Sequence, residues 1–262
     1  MKNTKKKIPF FIIIFSLLSC LVLVAIASVL WVSMTQTQRF QNKVIEASMT
    51  QISQTIIERT TQYLIPAVIV AESSASFTQT GIMEFNQSDK LETYLFNQIK
   101  PYPQLSKVYV AEKDGAFTMV YRDKNQSLHT KFVSTQDATA RIKKRDAYQQ
   151  IISDTIEPTD YDARTRPWFT GAKQAGERYW TELYLFFTGK RPGITASYPM
   201  YDENNAFQGV FGVDVELSQL SEFLDQQKQE HFFDVFIINE KSQIVAQSGN
   251  VVFKTYSNGS VG

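Results

Sequence analysis

The pattern of apolar and polar positions opens with an uninterrupted block. Residues 8–32, "IPFFIIIFSLLSCLVLVAIASVLWV", carry no charge and follow Lys2, Lys5, Lys6 and Lys7. A helix of that length rises roughly 37 Å, enough to cross a hydrocarbon core of about 30 Å with some tilt. The spacing then changes. Ile45, Met49, Ile52, Ile56 and Tyr63 recur at steps of four, three, four and seven, a heptad-like stripe on one face of a long helix. Glycine is absent between residues 33 and 77, and Pro66 is the single proline there. The second half of this helix is expected to pack on its own domain; the first half either does the same or pairs with a second copy.

Beyond residue 80 the rhythm shortens. "SDKLETYLFNQI", 88–99, reads as a short helix with Ser88 at its N-cap. "KVYVAEKDGAFTMVYR", 107–122, alternates on both sides of Asp114-Gly115, a hairpin signal. "YWTELYLFF", 179–187, and "GITASYPMYD", 193–202, predict a strand pair around "TGKRP". "FQGVFGVDVEL", 207–217, predicts a buried strand, and a helix follows from Ser218 to about Gln227. "DVFIINEKSQIVAQSG" predicts two final strands about Glu240-Lys241. The expected class is α+β: a long helix, then antiparallel strands with short helices.

Composition narrows the function. The net charge of +1 in 262 residues gives no basic excess, so no nucleic-acid partner is expected. One cysteine, Cys20, excludes an internal disulfide framework, and His129 and His231 lack metal-ligand spacing. No metal and no cofactor are expected. The leading lysines are retained on the cytoplasmic side, which places the N-terminus in the cytoplasm and the bulk of the chain outside the cell membrane. Setting those four lysines aside leaves 23 basic against 26 acidic residues, an ordinary soluble surface of about −3. "VAIAS" is a competing signal-peptidase site and "LLSC" a competing lipobox. The apolar run outlasts a signal h-region, and it continues for twelve residues after Cys20, which favours an uncleaved anchor.

Candidate chemistry concentrates in "YDARTRPWF", 161–169. Pro167 suits the first position of a helix. The free N–H groups of that helix start, the forked guanidinium of Arg166 and the indole of Trp168 form a set that holds a small carboxylate. Alternatively, Arg166 pairs with Asp160 or Asp162 and Trp168 is core. A second element is Asp214, an acid between Val213 and Val215 in an apolar strand. Alternation puts it on the face opposite the valines, where it needs a partner: a core arginine or a ligand ammonium. A carboxylate clamp with a separate buried acid matches an α-amino acid.

These segments, "YDARTRPWFTGA", "YWTELY" and "ITASYPMYDENNAFQGVFGVDVELSQL" after an anchor and a long helix, resemble the double Cache sensor domains of bacterial transmembrane receptors, from about residue 38 to the end. The resemblance implies a PAS-like antiparallel-sheet Cache domain following the transmembrane helix and its long continuation. In the amino-acid-binding branch it implies that Arg166 and Trp168 hold a ligand carboxylate and that Tyr161 and Asp214 hold its amino group, with Phe169 and Tyr184 in the same pocket. Phe169 stands where the family often has tyrosine, removing a hydroxyl donor worth about 1 kcal/mol. Tyr184-Leu185-Phe186 stands where relatives carry Tyr-x-Asp, which leaves a less polar amino acid, a plain carboxylate or another ligand open. The implied organisation is a cytoplasmic tail at 1–7, a membrane span at 8–32, a stalk helix at 33–78, a membrane-distal subdomain at 79–230 and the start of a proximal subdomain at 231–262. On this reading the chain is truncated within the proximal lobe.

The expected function is extracytoplasmic sensing of an amino acid or small carboxylate by a membrane-anchored receptor, dimeric through the long helix. Alternatives are a structural or capture protein at the membrane, and a hydrolase using Asp160, Asp162 and Asp214. The sequence carries no Gly-x-Ser-x-Gly elbow, Walker loop, His-Glu-x-x-His or Cys–His pair, so no enzymatic activity is expected.

Overall fold

A computed structural model describes residues 10–80, 88–231, 234–238 and 244–249. The chain divides into two units, Met1–Ile57 and Glu58–Gly262. The described part of the first unit lies within helix α1, Phe10–Gln79. An 18-residue window of this helix has a mean hydropathy of 3.0 and none of it is buried in the protein, so it is long and apolar enough to cross a membrane. Pro66 is accommodated inside the helix.

The second unit is a helix-flanked antiparallel sheet, and the α+β class with a Cache-like architecture is borne out. After helix α2, Ser88–Ile99, come strands β1, Lys107–Glu112; β2, Phe117–Arg122; β3, Leu128–Ser134; β4, Thr139–Arg145; and β5, Ile151–Pro158. A 3₁₀ turn at Ala163–Thr165 leads into helix α3, Pro167–Ala175. Strands β6, Tyr179–Trp180; β7, Tyr184–Leu185; β8, Pro192–Tyr201; and β9, Phe207–Glu216 precede helix α4, Leu217–His231. Nine strands form one sheet among the described residues, in the order β5-β4-β3-β2-β1-β9-β8-β6, with β7 also on β8. A separate ribbon pairs β10, Phe236–Ile238, with β11, Ile244–Gln247. The turn expected at Glu240-Lys241 and most of the expected proximal lobe lie outside the described residues.

The sheet separates two cores. On one face Val108 and Val110 of β1 and Phe211, Val213 and Val215 of β9 meet Ala67, Val70 and Ala71 of α1 and Leu91, Leu95 and Ile99 of α2. The small residues of α1 let its backbone lie close to the strands. Tyr63 stacks on Phe223 of α4 with centroids 4.5 Å apart, so this part of α1 packs on its own domain, as its spacing suggests. On the other face Tyr109, Phe117, Met119 and Val210 pack against Tyr161, Trp168, Phe169 and Ala172 of the α3 region.

The Asp114-Gly115 hairpin forms where its alternation places it: Gly115 adopts φ +100°, and Asp114 Oδ1 accepts from the Ala116 amide. The expected strand at 179–187 is corrected. Only Tyr179–Trp180 and Tyr184–Leu185 join β8. Between them the Thr181 hydroxyl accepts the Thr195 amide in place of a backbone carbonyl, which interrupts the ladder.

Candidate functional site

The site is built on three adjacent strands. In their register Lys107 of β1 faces Asp214 of β9, which faces Thr195 of β8; one step along, Tyr109 faces Gly212, which faces Ser197. Side chains at directly opposed positions lie on one face within bonding reach. Because residues alternate, Val213 and Val215 enter the α1 core and Asp214 enters the α3 face.

Asp214 is 2% exposed, and protein groups surround it. Its Oδ1 accepts from Tyr109 Oη and from Thr195 Oγ1, both at 2.6 Å. Its Oδ2 lies 3.2 Å from Lys107 Nζ. The partner of the buried acid is therefore a lysine, where an arginine or a ligand ammonium was expected. Burial raises the Asp214 pKa; Lys107, Thr195 and Tyr109 oppose that shift without cancelling it. Burial, reinforced by the nearby Asp214 charge, also pushes the phenols of Tyr109 and Tyr184 well above their usual value, so both remain hydroxyl donors.

Lys107 is 5% exposed. Its ammonium lies 3.7 Å from the centroid of the Phe186 ring and 3.6 Å from Glu216 Oε1, while Glu216 Oε2 accepts from Arg191 at 2.7 Å. None of these contacts gives Nζ an aligned hydrogen bond.

Helix α3 supplies the opposite wall. Pro167 occupies its first turn and Gly176 closes it in the left-handed conformation, φ 71°. Arg166 stands at the N-cap but makes no side-chain cap. Its Nη2 donates to the Leu185 carbonyl at 3.1 Å, and its guanidinium lies 5.7 Å from the Tyr184 ring. The alternative pairing with Asp162 is excluded, since Arg164 takes that carboxylate with two donors. Trp168 is buried against Tyr109 with centroids 4.7 Å apart, and its carbonyl accepts from Ser197.

A cavity of about 20 Å³ lies between these walls, bounded by Tyr161, Arg166, Trp168, Tyr184, Lys107 and Asp214, with Phe186 and Phe187 also lining it. It has room for about one water. Five of the six expected site residues thus meet at one place. Phe169 does not: it packs edge-on against Phe207, 5.9 Å away, behind Trp168. Lys107 was missed, and the detectable signal was slight, a lysine opening an apolar strand. A larger open cleft of about 470 Å³ lies near Arg122, Asp123, Arg191 and Glu216. Of its charged residues, Arg122 is spent on the Ile99 carbonyl, Asp123 on His129 and Arg191 on Glu216. Among the described residues no cluster of His, Cys, Asp or Glu has metal-binding geometry.

The fold has solved counterparts. The ligand-binding domain of the Campylobacter jejuni chemoreceptor Tlp3, in complex with 4-methylisoleucine, superposes with a TM-score of 0.50 at 16% identity, over 76% of this chain and 66% of that one. The ligand-binding domain of the Pseudomonas aeruginosa PAO1 amino acid chemoreceptor PctC, in complex with GABA, gives 0.53 at 18% identity, over 76% and 74%. A methyl-accepting chemotaxis protein X gives 0.55 at 16% identity, over 79% and 75%. The chain thus spans just under two thirds of the length of the Campylobacter domain. No curated protein sequence matches. Residues 91–222, half of the chain, match the family profile described as the methyl-accepting chemotaxis protein-like first PDC sensor domain. With the sheet order and the helix-flanked core already described, that match makes the chain a member of this family of sensor domains.

Proposed function

We propose that this chain is the extracytoplasmic sensing module of a membrane-anchored receptor, binding an amino acid or small carboxylate between Arg166 and Asp214. One observation carries the reading: a guanidinium at a helix start and a buried acid on a facing strand border the same cavity without bonding to each other. Aromatic walls around two poles of charge suit a small organic ion. The solved domains with the same fold, in complex with 4-methylisoleucine and with GABA, support the ligand class. The apolar segment of α1 anchors the chain, the leading lysines keep its N-terminus cytoplasmic, and the exposed Ile45 and Met49 pair with a second copy. Ligand binding shifts that helix pair, passing the signal by a small motion.

A structural role is favoured by a different observation: the cavity has room for about one water, and Asp214 already meets protein groups, with Tyr109 and Thr195 on Oδ1 and the Lys107 ammonium beside Oδ2. The two readings separate in a thermal-shift screen of the full chain in detergent against amino acids and small carboxylates. A ligand at about 100 times its dissociation constant adds about 2.7 kcal/mol, and the melting temperature rises by roughly 5–10 °C. No shift with any compound leaves the structural role.

A further inference from the structure

We propose that the site takes a carboxylate without an ammonium group, and that Lys107 is one of the residues that hold it. This rests on the sensing function above and narrows its ligand.

The argument is an account of unspent hydrogen-bonding capacity. Asp214 is the one acid bordering the cavity among the described residues. Its Oδ1 already accepts twice, and its Oδ2 faces Lys107. An incoming ammonium would have to displace the lysine or lie against it, like charge against like among buried side chains. The cations are in the opposite state. Lys107 Nζ is buried; it pairs with Asp214 at 3.2 Å and lies 3.6 Å from Glu216, but none of its three donors has an aligned acceptor among the described residues. Arg166 spends one donor, on the Leu185 carbonyl, of the five a guanidinium carries. The bordering side chains Lys107, Arg166 and Asp214 sum to one positive charge. The unmet demand of the site is therefore for a negative group. The protein's own lysine fills the place beside Asp214 that a ligand's ammonium would need. The aromatic walls select an apolar body, and a cavity of about 20 Å³ admits it only when bordering side chains move aside.

The test uses matched acids with and without the α-ammonium: propionate and L-alanine, isocaproate and L-leucine, hydrocinnamate and L-phenylalanine, succinate and L-aspartate. Each is titrated calorimetrically into the full chain in nanodiscs. At least one deaminated acid is expected to bind at least 100-fold more tightly than its amino acid. Preference for an amino acid over its deaminated partner overturns this inference and leaves the sensing function standing. No binding by any member overturns both. Lys107→Gln is expected to weaken the preferred carboxylate at least tenfold and to open Asp214 to the matching amino acid. If that variant does not fold, Lys107→Gln combined with Asp214→Asn leaves no uncompensated buried charge and is expected to show the same loss of carboxylate binding. Unchanged carboxylate affinity in whichever of the two folds contradicts the role of Lys107.

Discussion

Tyr109 and Gly212 oppose each other across β1 and β9, and the tyrosine ring fills the space that a side chain at 212 would need. Because position 212 is bare, the ring occupies the space beside its Cα and the hydroxyl reaches Asp214 Oδ1 at 2.6 Å. A Cβ at 212 would fall within the radii of the ring atoms Cε2 and Cζ. Gly212→Ala therefore displaces the ring, and with it a donor to the buried acid. The expected cost is about 1–3 kcal/mol. Urea unfolding followed by circular dichroism checks it, and Tyr109→Phe in the same background should add less than it does alone, because the bond is already broken.

Glu92 of α2 joins two elements that its local sequence does not reveal. It accepts from Lys143 at 2.8 Å, from Thr130 at 2.6 Å and from Arg145. Burial alone would raise its pKa; these bonds outweigh burial and the net shift is downward. The unfolded chain then takes up the proton first as the solution is acidified. The contribution is complete above the unfolded carboxylate value of about 4.3 and is lost as pH falls through the lower folded value. Glu92→Gln should cost about 2 kcal/mol at pH 7, and the gap to the parent should narrow below about pH 4. Denaturation midpoints across that range measure it.

How much of this was readable beforehand differs by element. The β1–β2 hairpin and α3 announce themselves through Asp114-Gly115 and Pro167, signals confined to a few neighbouring residues. The orientation of Asp214 follows from alternation alone, since Val213 and Val215 can face only one core. Strands β3 to β5 gave no such signal. Lys131, Lys143 and Arg145 interrupt their pattern, and β5 buries almost nothing, so its place comes from pairing with β4. Lys107 belongs to the same class of difficulty. Its burial depends on register with Asp214, 107 positions away, and on Phe186 arriving from the segment that follows β7. Phe169 misled because neighbouring aromatics on a helix point in different directions: Trp168 faces the cavity and Phe169 faces Phe207.

The membrane orientation is testable with one label. With Cys20→Ser and a new cysteine at Asp146 in the β4–β5 turn, a membrane-impermeant maleimide should modify intact cells. Labelling only after lysis would reverse the topology.

Ile45 and Met49, 57% and 44% exposed, lie four residues apart on α1. If they form the seam between two copies, Ile45→Glu with Met49→Glu should reduce the dimer fraction in nanodiscs at least tenfold, read by chemical cross-linking. An unchanged dimer fraction places the seam elsewhere.

The role of Arg166 bears most directly on the claim that this cavity is a ligand site. Among the described residues the Arg166 side chain makes one hydrogen bond, to the Leu185 carbonyl, so Arg166→Ala should lower stability by only about 1 kcal/mol. Calorimetric titration of the tightest compound from the screen into parent and Arg166→Ala chains should show affinity falling at least 100-fold in the variant. An affinity within a factor of three of the parent would contradict the account.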